Sequence, residues 1–443
     1  MTQPASQSAA TNRREFLKSS SLAAVGAGVL GNLGALPGAF AASDDTIKVG
    51  LIGCGGRGTG AASQALSTNG NVKLVAMGDA FSWQLEDCYG KIKEAMGNRP
   101  ERVAVAPENK FVGLDAYQKV INAGVDLVVL ATPPGFRPVH FEAAVKAGKH
   151  VFMEKPVAVD APGVRQVLAA VEEAKKKNLG VGVGLQRHHE AKYIETIKRL
   201  QDGAIGDIQT ARVYWNGGGV WTRDRKAGMS EMEYQVWNWY YFNWLSGDHI
   251  CEQHIHNLDV INWLKGPGAH PVRAQGQGGR QVRNGKQWGE IYDHHFVEFE
   301  YADGTRMFSQ CRHIENCWSS VSEHVQGTKG QSDINSGTIK SASDTWRYKG
   351  PSADPYQVEH DDLFASIRAG KPINEGEFGA LSSMTSILGR LCTYSGQMID
   401  WDKAISSNIS LQPKEYNFKT DPPVMPNADG YYAVAVPGLS KVV

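Results

Sequence analysis

The sequence predicts an α/β protein, in which a doubly wound parallel sheet is followed by a second α/β domain with a large, mostly antiparallel open sheet. From residue 47 to about residue 186, short β-branched runs alternate with helical stretches, a pattern typical of a parallel sheet with helices on both faces. Beyond that point, strand-like runs predominate over helical ones. The 443 residues are ample for two domains.

Each element is placed by its hydrophobic pattern. In the first part, we predict strands at residues 47–52, 72–77, 127–131, 150–153 and 180–184, and helices at residues 114–122, 137–147 and 161–177. In the second part, we predict strands at residues 208–215, 272–276, 294–301 and 305–311, and helices at residues 248–264, 357–369 and 380–398. Residues 406–443 are predicted to form an irregular C-terminal tail.

A glycine-rich turn follows the first predicted strand. Gly53-x-Gly55-x-x-Gly58 lies between an apolar strand and a helix of small residues. In this pattern the first glycine permits a tight turn, the second lets a diphosphate approach the backbone, and the third allows close packing of helix on strand. Asp79 ends the next strand, where a carboxylate binds ribose hydroxyls and repels a 2′-phosphate. The sequence therefore predicts NAD binding, favoured over NADP, with a structural glycine turn as the alternative.

The N-terminus predicts export. The run Asn12-Arg13-Arg14-Glu15-Phe16-Leu17-Lys18 precedes a mildly apolar stretch and a small-residue site at residues 39–41, as in a twin-arginine signal covering residues 1–41. The alternative is a basic amphipathic start of a cytoplasmic protein. Because this route carries folded proteins, often with the cofactor seated, we expect a tightly bound cofactor and a periplasmic or otherwise exported bacterial protein.

Composition limits the classes of function. The chain has 46 basic and 46 acidic residues, so no basic excess points to nucleic acid. No apolar run approaches the about 20 residues of a membrane span, and we expect none in the mature protein. The six cysteines show neither a CxxC motif nor zinc-ligand spacing. We expect Cys311 and Cys317 to be reduced and to lie on strands with their side chains in the same phase. A disulfide between them is the alternative.

Polar residues follow two of the predicted parallel strands. Thr132-Pro133 ends one strand and Glu154-Lys155 ends the next, at the sheet edge where ligands bind in open α/β folds. A lysine at this position can be desolvated beside a nicotinamide, which lowers its pKa towards a catalytic value. The alternative is a surface Glu-Lys pair that caps a strand.

The helix predicted over residues 248–264 contains a second polar group. At 100° per residue, an arc of about 80° contains Asp248, Glu252, His256 and Asp259. A carboxylate one turn from a histidine orients the ring and raises its basicity, so His256 with Glu252 is a candidate general base.

Two other interpretations of this segment remain open. His254 points away from that arc and is expected to pack in the core. His249, Glu252 and His256 could instead share a metal ion, although no HExxH spacing exists and we predict no metal.

Aromatic residues are concentrated just before the histidine-rich segment. Residues 215–244 contain five of the eleven tryptophans. Aromatic faces beside polar groups suit the C–H faces of sugars, which makes Trp221 and Trp239 candidate substrate-binding residues. A subunit contact or a core layer is the alternative.

Taken together, these motifs resemble the Gfo/Idh/MocA oxidoreductase family, typified by glucose–fructose oxidoreductase and inositol 2-dehydrogenase, over about residues 46–405. The resemblance rests on the glycine pattern, Ala131-Thr132-Pro133, Ala147-Gly148-Lys149-His150-Val151, Glu154-Lys155-Pro156, Gly203-x-Ile205-Gly206, Glu252-x-x-x-His256-x-x-Asp259 and Ile367-Arg368-Ala369-Gly370-Lys371-Pro372. It implies a Rossmann domain at residues 46–186 and a substrate-binding and oligomerisation domain at residues 187–405.

The resemblance also implies roles for individual residues. Lys155 corresponds to the catalytic lysine and His256 to the general acid/base. The family usually has aspartate where this chain has Glu252, and many members have glycine where it has His254, so we expect a subfamily with its own substrate. The candidate cofactor-binding residues are Gly53, Cys54, Gly55, Gly56, Arg57, Gly58, Asp79, Ala131, Thr132, Pro133, Glu154 and Lys155. The candidate substrate-binding residues are Lys155, Trp221, Trp239, Glu252 and His256.

Three functions remain open. The leading hypothesis is an exported NAD-dependent oxidoreductase that transfers a hydride between a secondary hydroxyl of a sugar, polyol or glycoside and the cofactor. The second is a glycosidase or lyase that oxidises its sugar transiently and then returns the hydride. The third is a sugar-binding protein without activity. Besides the substrate, the expected partners are the twin-arginine export machinery and further copies of the chain in a homodimer or homotetramer.

Overall fold

The first sheet occupies the N-terminal part of residues 45–443, which the computed structural model describes; the predicted signal at residues 1–41 lies outside them. Its strands are β1 Ile47–Ile52, β2 Val72–Asp79, β3 Lys110–Val112, β4 Leu127–Leu130, β5 His150–Met153 and β6 Val181–Val183. These six strands of the described part are parallel, in the order β3-β2-β1-β4-β5-β6. The doubly wound parallel sheet predicted from the sequence is confirmed.

Helices cover both faces of this sheet. Their bounds are α1 Gly56–Ser67, α2 Ser82–Ala95, α3 Ala116–Ile121, α4 Arg137–Lys146 and α5 Ala161–Lys176, with short 3₁₀ turns at Pro100–Arg102, Pro107–Asn109 and Pro134–Phe136. Successive residues of a strand enter opposite cores: Leu127 and Val129 pack with α1 and α2, whereas Val128 and Leu130 pack with α3 and α4. Burial on both faces explains the continuous apolar run of β4.

The second sheet contains nine strands of the described residues. They are β7 Ile208–Gly217, β8 Arg273–Gly279, β9 His294–Glu300, β10 Arg306–His313, β11 Ser320–Gly327, β12 Gly330–Asp333, β13 Thr338–Ser341, β14 Thr345–Arg347 and β15 Ile399–Asp400. Their order is β14-β13-β12-β11-β7-β10-β9-β8-β15. Only the pair β7 and β10 is parallel within this described sheet, so the prediction of a mostly antiparallel sheet is confirmed.

The second part also contributes helices. They are α6 Ala191–Gln201, α7 Glu231–Trp237, α8 Asn243–Ser246, α9 His249–Glu252, α10 Ile255–Lys265, α11 Pro355–Arg368, α12 Gly376–Ser395 and α13 Trp401–Ile405, with 3₁₀ turns at Gln186–His189, Trp239–Tyr241 and Lys286–Trp288. Leu363 and Phe364 of α11 enter the core between the first sheet and α1. None of the helices in residues 45–443 combines the length and apolar character needed to cross a bilayer.

The single helix predicted over residues 248–264 is wrong. α9 ends at Glu252 and α10 begins at Ile255, with a break between them. At the start of α9, Asp248 has a φ of 71°, a conformation unusual for a residue other than glycine. Its carboxylate accepts a hydrogen bond from the backbone N–H of His249, which begins α9 in a new direction.

The prediction that Cys311 and Cys317 share a phase on strands is also wrong. Cys311 is buried on β10, but Cys317 is exposed in the loop that follows this strand. All six cysteines, which lie in the described residues, are free thiols. The C-terminal tail is irregular, and it is anchored by hydrogen bonds such as that from Leu411 N to Asp160 Oδ2 at 2.8 Å.

Candidate active site

The glycine turn has the geometry that a dinucleotide requires. Gly53 has a φ of 96°, and a Cβ atom on Gly58 would lie 1.9 Å from the carbonyl oxygen of Gly53. A Cβ atom on Gly55 or Gly56 would meet nothing within 4 Å, because both face open space. Glycine is therefore required at positions 53 and 58 by the backbone itself. The open space at positions 55 and 56 leaves room for a ligand.

The helix after this turn begins without a side-chain cap. α1 starts at Gly56. Its N-cap residue is Gly55, which has no side chain to cap the helix, and the first turn contains no acidic residue. The first N–H groups of a helix lack partners within the helix and carry partial positive charge. Together with the open space at Gly55 and Gly56, these groups fit the diphosphate of a dinucleotide.

Asp79 ends β2 beside the glycine turn. Its Oδ2 accepts a hydrogen bond from Cys54 N at 2.6 Å, and its Oδ1 accepts one from Phe81 N at 2.9 Å. Burial raises the pKa of the Asp79 carboxyl, and these N–H groups counteract the shift. The carboxylate lines the same cavity as the glycine turn, which is the position that the ribose-binding prediction requires.

This cavity, of about 290 Å³, is the candidate dinucleotide groove. Its floor and one side come from the first sheet and include Gly53, Gly55, Gly56, Arg57, Asp79, Ala131, Thr132 and Pro133. Five residues of the second part complete it: Trp221, Arg223, Val236, Trp237 and Trp239. The two candidate sugar-stacking tryptophans therefore contact the groove of the predicted cofactor. The remaining aromatics of this region, such as Tyr240 and Trp244, form a buried core.

Arg137 fixes the carboxyl ends of β4 and β5. This residue is 1% exposed, and its guanidinium donates hydrogen bonds to the backbone carbonyl oxygens of Leu130 (2.6 Å), Thr132 (2.6 Å) and Glu154 (2.9 Å). Burial lowers the pKa of Arg137 to about 10. No sequence pattern predicted this role of Arg137, and the available signal was an arginine shortly after the motif Thr132-Pro133.

Glu154 lies behind the groove and contacts Arg57. Arg57 Nε lies 2.5 Å from Glu154 Oε1, and Arg57 Nη2 lies 3.6 Å from Glu359 Oε1. Neither oxygen of the buried Glu359 carboxyl makes a hydrogen bond to a described residue. Burial and the charge of Glu154 raise the pKa of Glu359 well above its usual value, and the charge of Arg57 acts in the opposite direction. Glu359, on α11, was also absent from the sequence analysis, because only the tertiary fold brings it to Arg57.

Lys155 is paired with Glu252. Its Nζ donates to the backbone oxygen of Glu252 at 2.5 Å and to Oε1 at 3.1 Å. The two side chains are 13% and 15% exposed, so the pair lies mostly out of water but remains accessible. The first and second parts of the chain therefore meet at the end of β5.

His256 lies beside this pair on α10. Its imidazole stacks on Trp215 of β7, with ring centroids 5.8 Å apart. Burial lowers the pKa of His256 well below 6.5, and the positive charge of Lys155 adds to this shift. The ring is therefore neutral near pH 7 and can accept a proton. Its Nδ1 is buried without a hydrogen-bond partner among residues 45–443.

The predicted orientation of His256 by carboxylates of the same helix is not observed. Because the helix breaks after Glu252, the carboxylate of Glu252 contacts Lys155. Asp259 accepts hydrogen bonds from Ser382 Oγ at 2.7 Å, and its Oδ2 lies 2.8 Å from His188 Nε2. Asp259 therefore has a structural role in the core.

Asp248 and the other histidines of this segment are buried elsewhere. Asp248 accepts from Tyr292 N at 2.9 Å and from Tyr394 Oη at 2.5 Å, and His249 Nδ1 lies 2.7 Å from its Oδ1. The three residues of the alternative metal site are separated by these contacts. Instead, Asp248, His249 and His295 converge, with one potential ligand atom from each within 4.8 Å of the others. His254 lies 2.7 Å from Ser309 Oγ in the core, in agreement with its predicted packing role.

Comparison with known proteins identifies a family match for the part of the chain that contains the first sheet. Residues 47–185 match GFO_IDH_MocA, described as an oxidoreductase family with an NAD-binding Rossmann fold. The match identifies residues 47–185 as similar to the NAD-binding Rossmann fold of this oxidoreductase family. The matched residues contain the glycine turn, Asp79, Thr132 and Lys155.

Curated relatives and solved structures show further similarities of sequence and of fold. An inositol 2-dehydrogenase of Rhizobium meliloti is 30% identical over 38% of this chain and 44% of its own length, so this match spans less than half of that relative. A scyllo-inositol 2-dehydrogenase (NAD(+)) of Bacillus subtilis is 24% identical over 66% of this chain and 75% of its own length. The fold also matches scyllo-inositol dehydrogenase from Lactobacillus casei with bound NAD(H) and scyllo-inositol, with a TM-score of 0.60, 20% identity and coverage of 81% of this chain and 100% of the other.

Proposed function

We propose that this chain is an NAD-dependent oxidoreductase that transfers a hydride between a secondary hydroxyl of a sugar, polyol or glycoside and a tightly bound cofactor. One observation carries the proposal: Lys155, which is paired with Glu252, lies close enough to His256 for its charge to depress the pKa of this buried imidazole. Lys155 Nζ and the neutral imidazole of His256 therefore lie together at the end of β5. The inositol dehydrogenases among the relatives support a polyol or sugar as the substrate class.

These two residues divide the proton handling between them. The neutral imidazole of His256 accepts the proton of the substrate hydroxyl as the carbon is oxidised. Lys155 Nζ donates a hydrogen bond to the same oxygen and stabilises the negative charge that develops there. Glu252 holds the ammonium of Lys155 at 3.1 Å and so fixes its direction.

The groove supplies the cofactor site. The N–H groups at Gly55 and Gly56 would hold the diphosphate, Asp79 would bind the ribose hydroxyls, and Thr132 and Pro133 would line the path towards Lys155. NAD bound there would accept the hydride. The Asp79 carboxylate favours NAD over NADP, because it would repel a 2′-phosphate.

The location and assembly of the protein are part of this proposal. The twin-arginine pattern at residues 1–41 supports export to the periplasm. Phe296, on the face of β9 opposite the buried His295, is 41% exposed, which supports a homodimer or homotetramer through this face of the second sheet. Light scattering of the mature protein tests the assembly, and a monomer at micromolar concentration would contradict it.

The first experiment is the cofactor content of the purified mature protein. The protein is denatured, and the released nucleotide is identified and quantified by mass spectrometry. We expect close to one NAD per chain, without NADP, followed by turnover of polyols or sugars by the intact protein. A protein that contains no nucleotide and has no measurable affinity for NADH would refute the proposal.

A redox-neutral glycosidase or lyase is the second candidate. It is favoured by the position of Trp221 and Trp239 over the groove, because a covered cofactor suits a cycle that returns the hydride to the same substrate. Hydrolysis of a glycoside with solvent deuterium entering the ring would identify this reaction. Net oxidation of the sugar with reduction of an external acceptor would identify the first.

A further inference from the structure

Part of the dinucleotide groove is formed by a segment from outside the first sheet. Residues 218–229, which we call the cover segment, contain neither helix nor strand. Two of its residues, Trp221 and Arg223, line the same cavity as the glycine turn and Asp79. No motif of the sequence analysis assigned a role to Arg223.

The cover segment is attached to buried residues. Tyr241 Oη donates hydrogen bonds to the carbonyl oxygens of Val220 at 3.0 Å and Trp221 at 2.9 Å. The backbone N–H of Arg223 donates to Asn238 Oδ1 at 2.9 Å, and Asn238 is fully buried. The backbone of Arg223 therefore has a defined position at the groove.

The side chain of Arg223 is also fixed. Its guanidinium carbon lies 4.1 Å from the ring centroids of both Trp221 and Trp237, so the cation is held between two indoles. Its Nη1 donates to the carbonyl oxygen of Trp237 at 3.0 Å. This single bond uses one of the five N–H donors of a guanidinium, and most of the others are available to a ligand.

Within residues 45–443, no carboxylate forms an ion pair with Arg223. Burial lowers its pKa, and the charge of Asp79, on the wall of the same cavity, acts in the opposite direction without an ion pair forming between these described residues. A partly desolvated cation that lacks a contacting anion is unfavourable unless an anionic ligand completes the site. The adenosine diphosphate half of NAD carries the negative charge that this groove would receive.

We propose that Arg223 binds the adenosine diphosphate half of the dinucleotide and slows its release. This inference rests on the proposed cofactor site and extends it to a residue of the second part of the chain. Because the cover segment contributes to the groove, the dinucleotide dissociates only when its contact with Arg223 is broken. The tight binding expected for an exported enzyme would then depend on this residue.

The same segment supplies a matched control. Arg225 stacks on Tyr234 at 4.2 Å and forms an ion pair with Glu231, but it does not line the groove. Arg225→Gln therefore removes an arginine of similar packing from the same segment. Arg223→Lys keeps the charge of Arg223 but loses the planar group between the indoles.

The experiment measures binding of NADH and of ADP-ribose to cofactor-stripped protein, by equilibrium titration and by the dissociation rate. For Arg223→Gln, we expect the Kd of both ligands to rise by about tenfold or more, mainly through faster dissociation. Arg225→Gln should remain within about twofold of the wild type, as is usual for exposed ion pairs. Arg223→Lys should retain most of the affinity. Equal melting temperatures of the ligand-free proteins establish that the variants are folded.

The outcomes separate this inference from the proposed function. Wild-type protein that binds tightly, with Arg223→Gln equal to Arg225→Gln, would overturn the role of Arg223 and leave the proposed function intact. An equal loss in Arg223→Lys and Arg223→Gln would also overturn it, because packing and not charge would then explain the effect. Wild-type protein that binds neither ligand would refute the proposed function itself.

Discussion

At the residue scale, Lys155 is the most direct test of the proposed chemistry. In Lys155→Met, the side chain keeps most of its length but loses the ammonium that contacts Glu252. We expect kcat to fall by about a hundredfold or more, because a hydrogen-bond donor positioned at the developing negative charge contributes this much to a reaction of this kind. The affinity for NADH should change little, since the glycine turn and Asp79 are untouched. Steady-state kinetics and NADH titration measure the two effects, and Lys146→Met, on the exposed face of α4, is the control.

The buried imidazole of His256 leads to a prediction about how the rate of substrate oxidation depends on pH. Its pKa is well below 6.5 because of burial and the charge of Lys155, so the neutral form that accepts the proton persists when the solution becomes mildly acidic. The rate of substrate oxidation should therefore show no loss from histidine protonation between pH 8 and pH 6.5. The pH profile of kcat/KM measures this. An acid limb at the ordinary histidine pKa that disappears in His256→Gln would contradict the proposed environment.

The residues differ in how far the sequence could predict them. Gly53, Asp79 and Lys155 belong to local patterns in which a strand end or a turn requires one residue type, and such patterns are visible in a single sequence. Arg223 depends on Trp237, which lies 14 residues further along the chain, and on the fold that brings both to the groove. No local spacing contains this information.

At the element scale, the buried strands were predictable and the segment around His256 was not. The apolar runs of β1, β4 and β5 are found within a residue of their predicted bounds, because burial on both faces leaves few other interpretations. The short edge strand β3 has no such run and was missed. The break between α9 and α10 falls at residues 253–254, and helical periodicity alone does not predict it.

The glycine turn provides a prediction for one element. Gly58→Ala would place a methyl group 1.9 Å from the carbonyl oxygen of Gly53, so α1 must move away from the end of β1. We expect this variant to lose NADH affinity by about tenfold or more, because the N–H groups of α1 leave the diphosphate position. Gly90→Ala on α2 is the control, since its methyl group meets nothing within 4 Å and should stabilise the helix by about 0.5–1 kcal/mol. Fluorescence titration with NADH and chemical unfolding test both variants.

At the scale of the whole molecule, the two parts of the chain share cores as well as the site. Helix α11 lies late in the sequence but buries Leu363 and Phe364 against the first sheet, and it brings Glu359 to Arg57. The cover segment, in turn, contributes Arg223 to the groove of the first sheet. The order of elements along the chain predicted the two sheets. The contacts of α11 and of the cover segment with the first sheet depend on the complete packing and were not predicted. Cofactor binding and global stability are therefore expected to be coupled.

The buried carboxyl of Glu290 is expected to make the stability of the whole molecule depend on pH. It lines a cavity of about 440 Å³ together with residues of the C-terminal tail, and its Oε1 accepts a hydrogen bond from Asn243 N at 3.0 Å. Burial raises its pKa from 4.5 to about 7. Between these two values the folded protein holds a proton that the unfolded chain has released, so this group lowers the free energy of unfolding as the pH rises through that window.

Glu290→Gln removes this dependence and keeps the oxygen that accepts from Asn243. We expect the free energy of unfolding of the variant, relative to the wild type, to increase from pH 4.5 to pH 7 by about 1 kcal/mol or more and to remain level above pH 7. Urea unfolding of the cofactor-free proteins at several pH values measures the difference, with Glu377→Gln on the exposed surface of α12 as the control. A difference that is the same at pH 4.5 and pH 8 would show that Glu290 is already ionised in the folded protein at low pH, and that the cavity under the tail is better hydrated than its burial indicates.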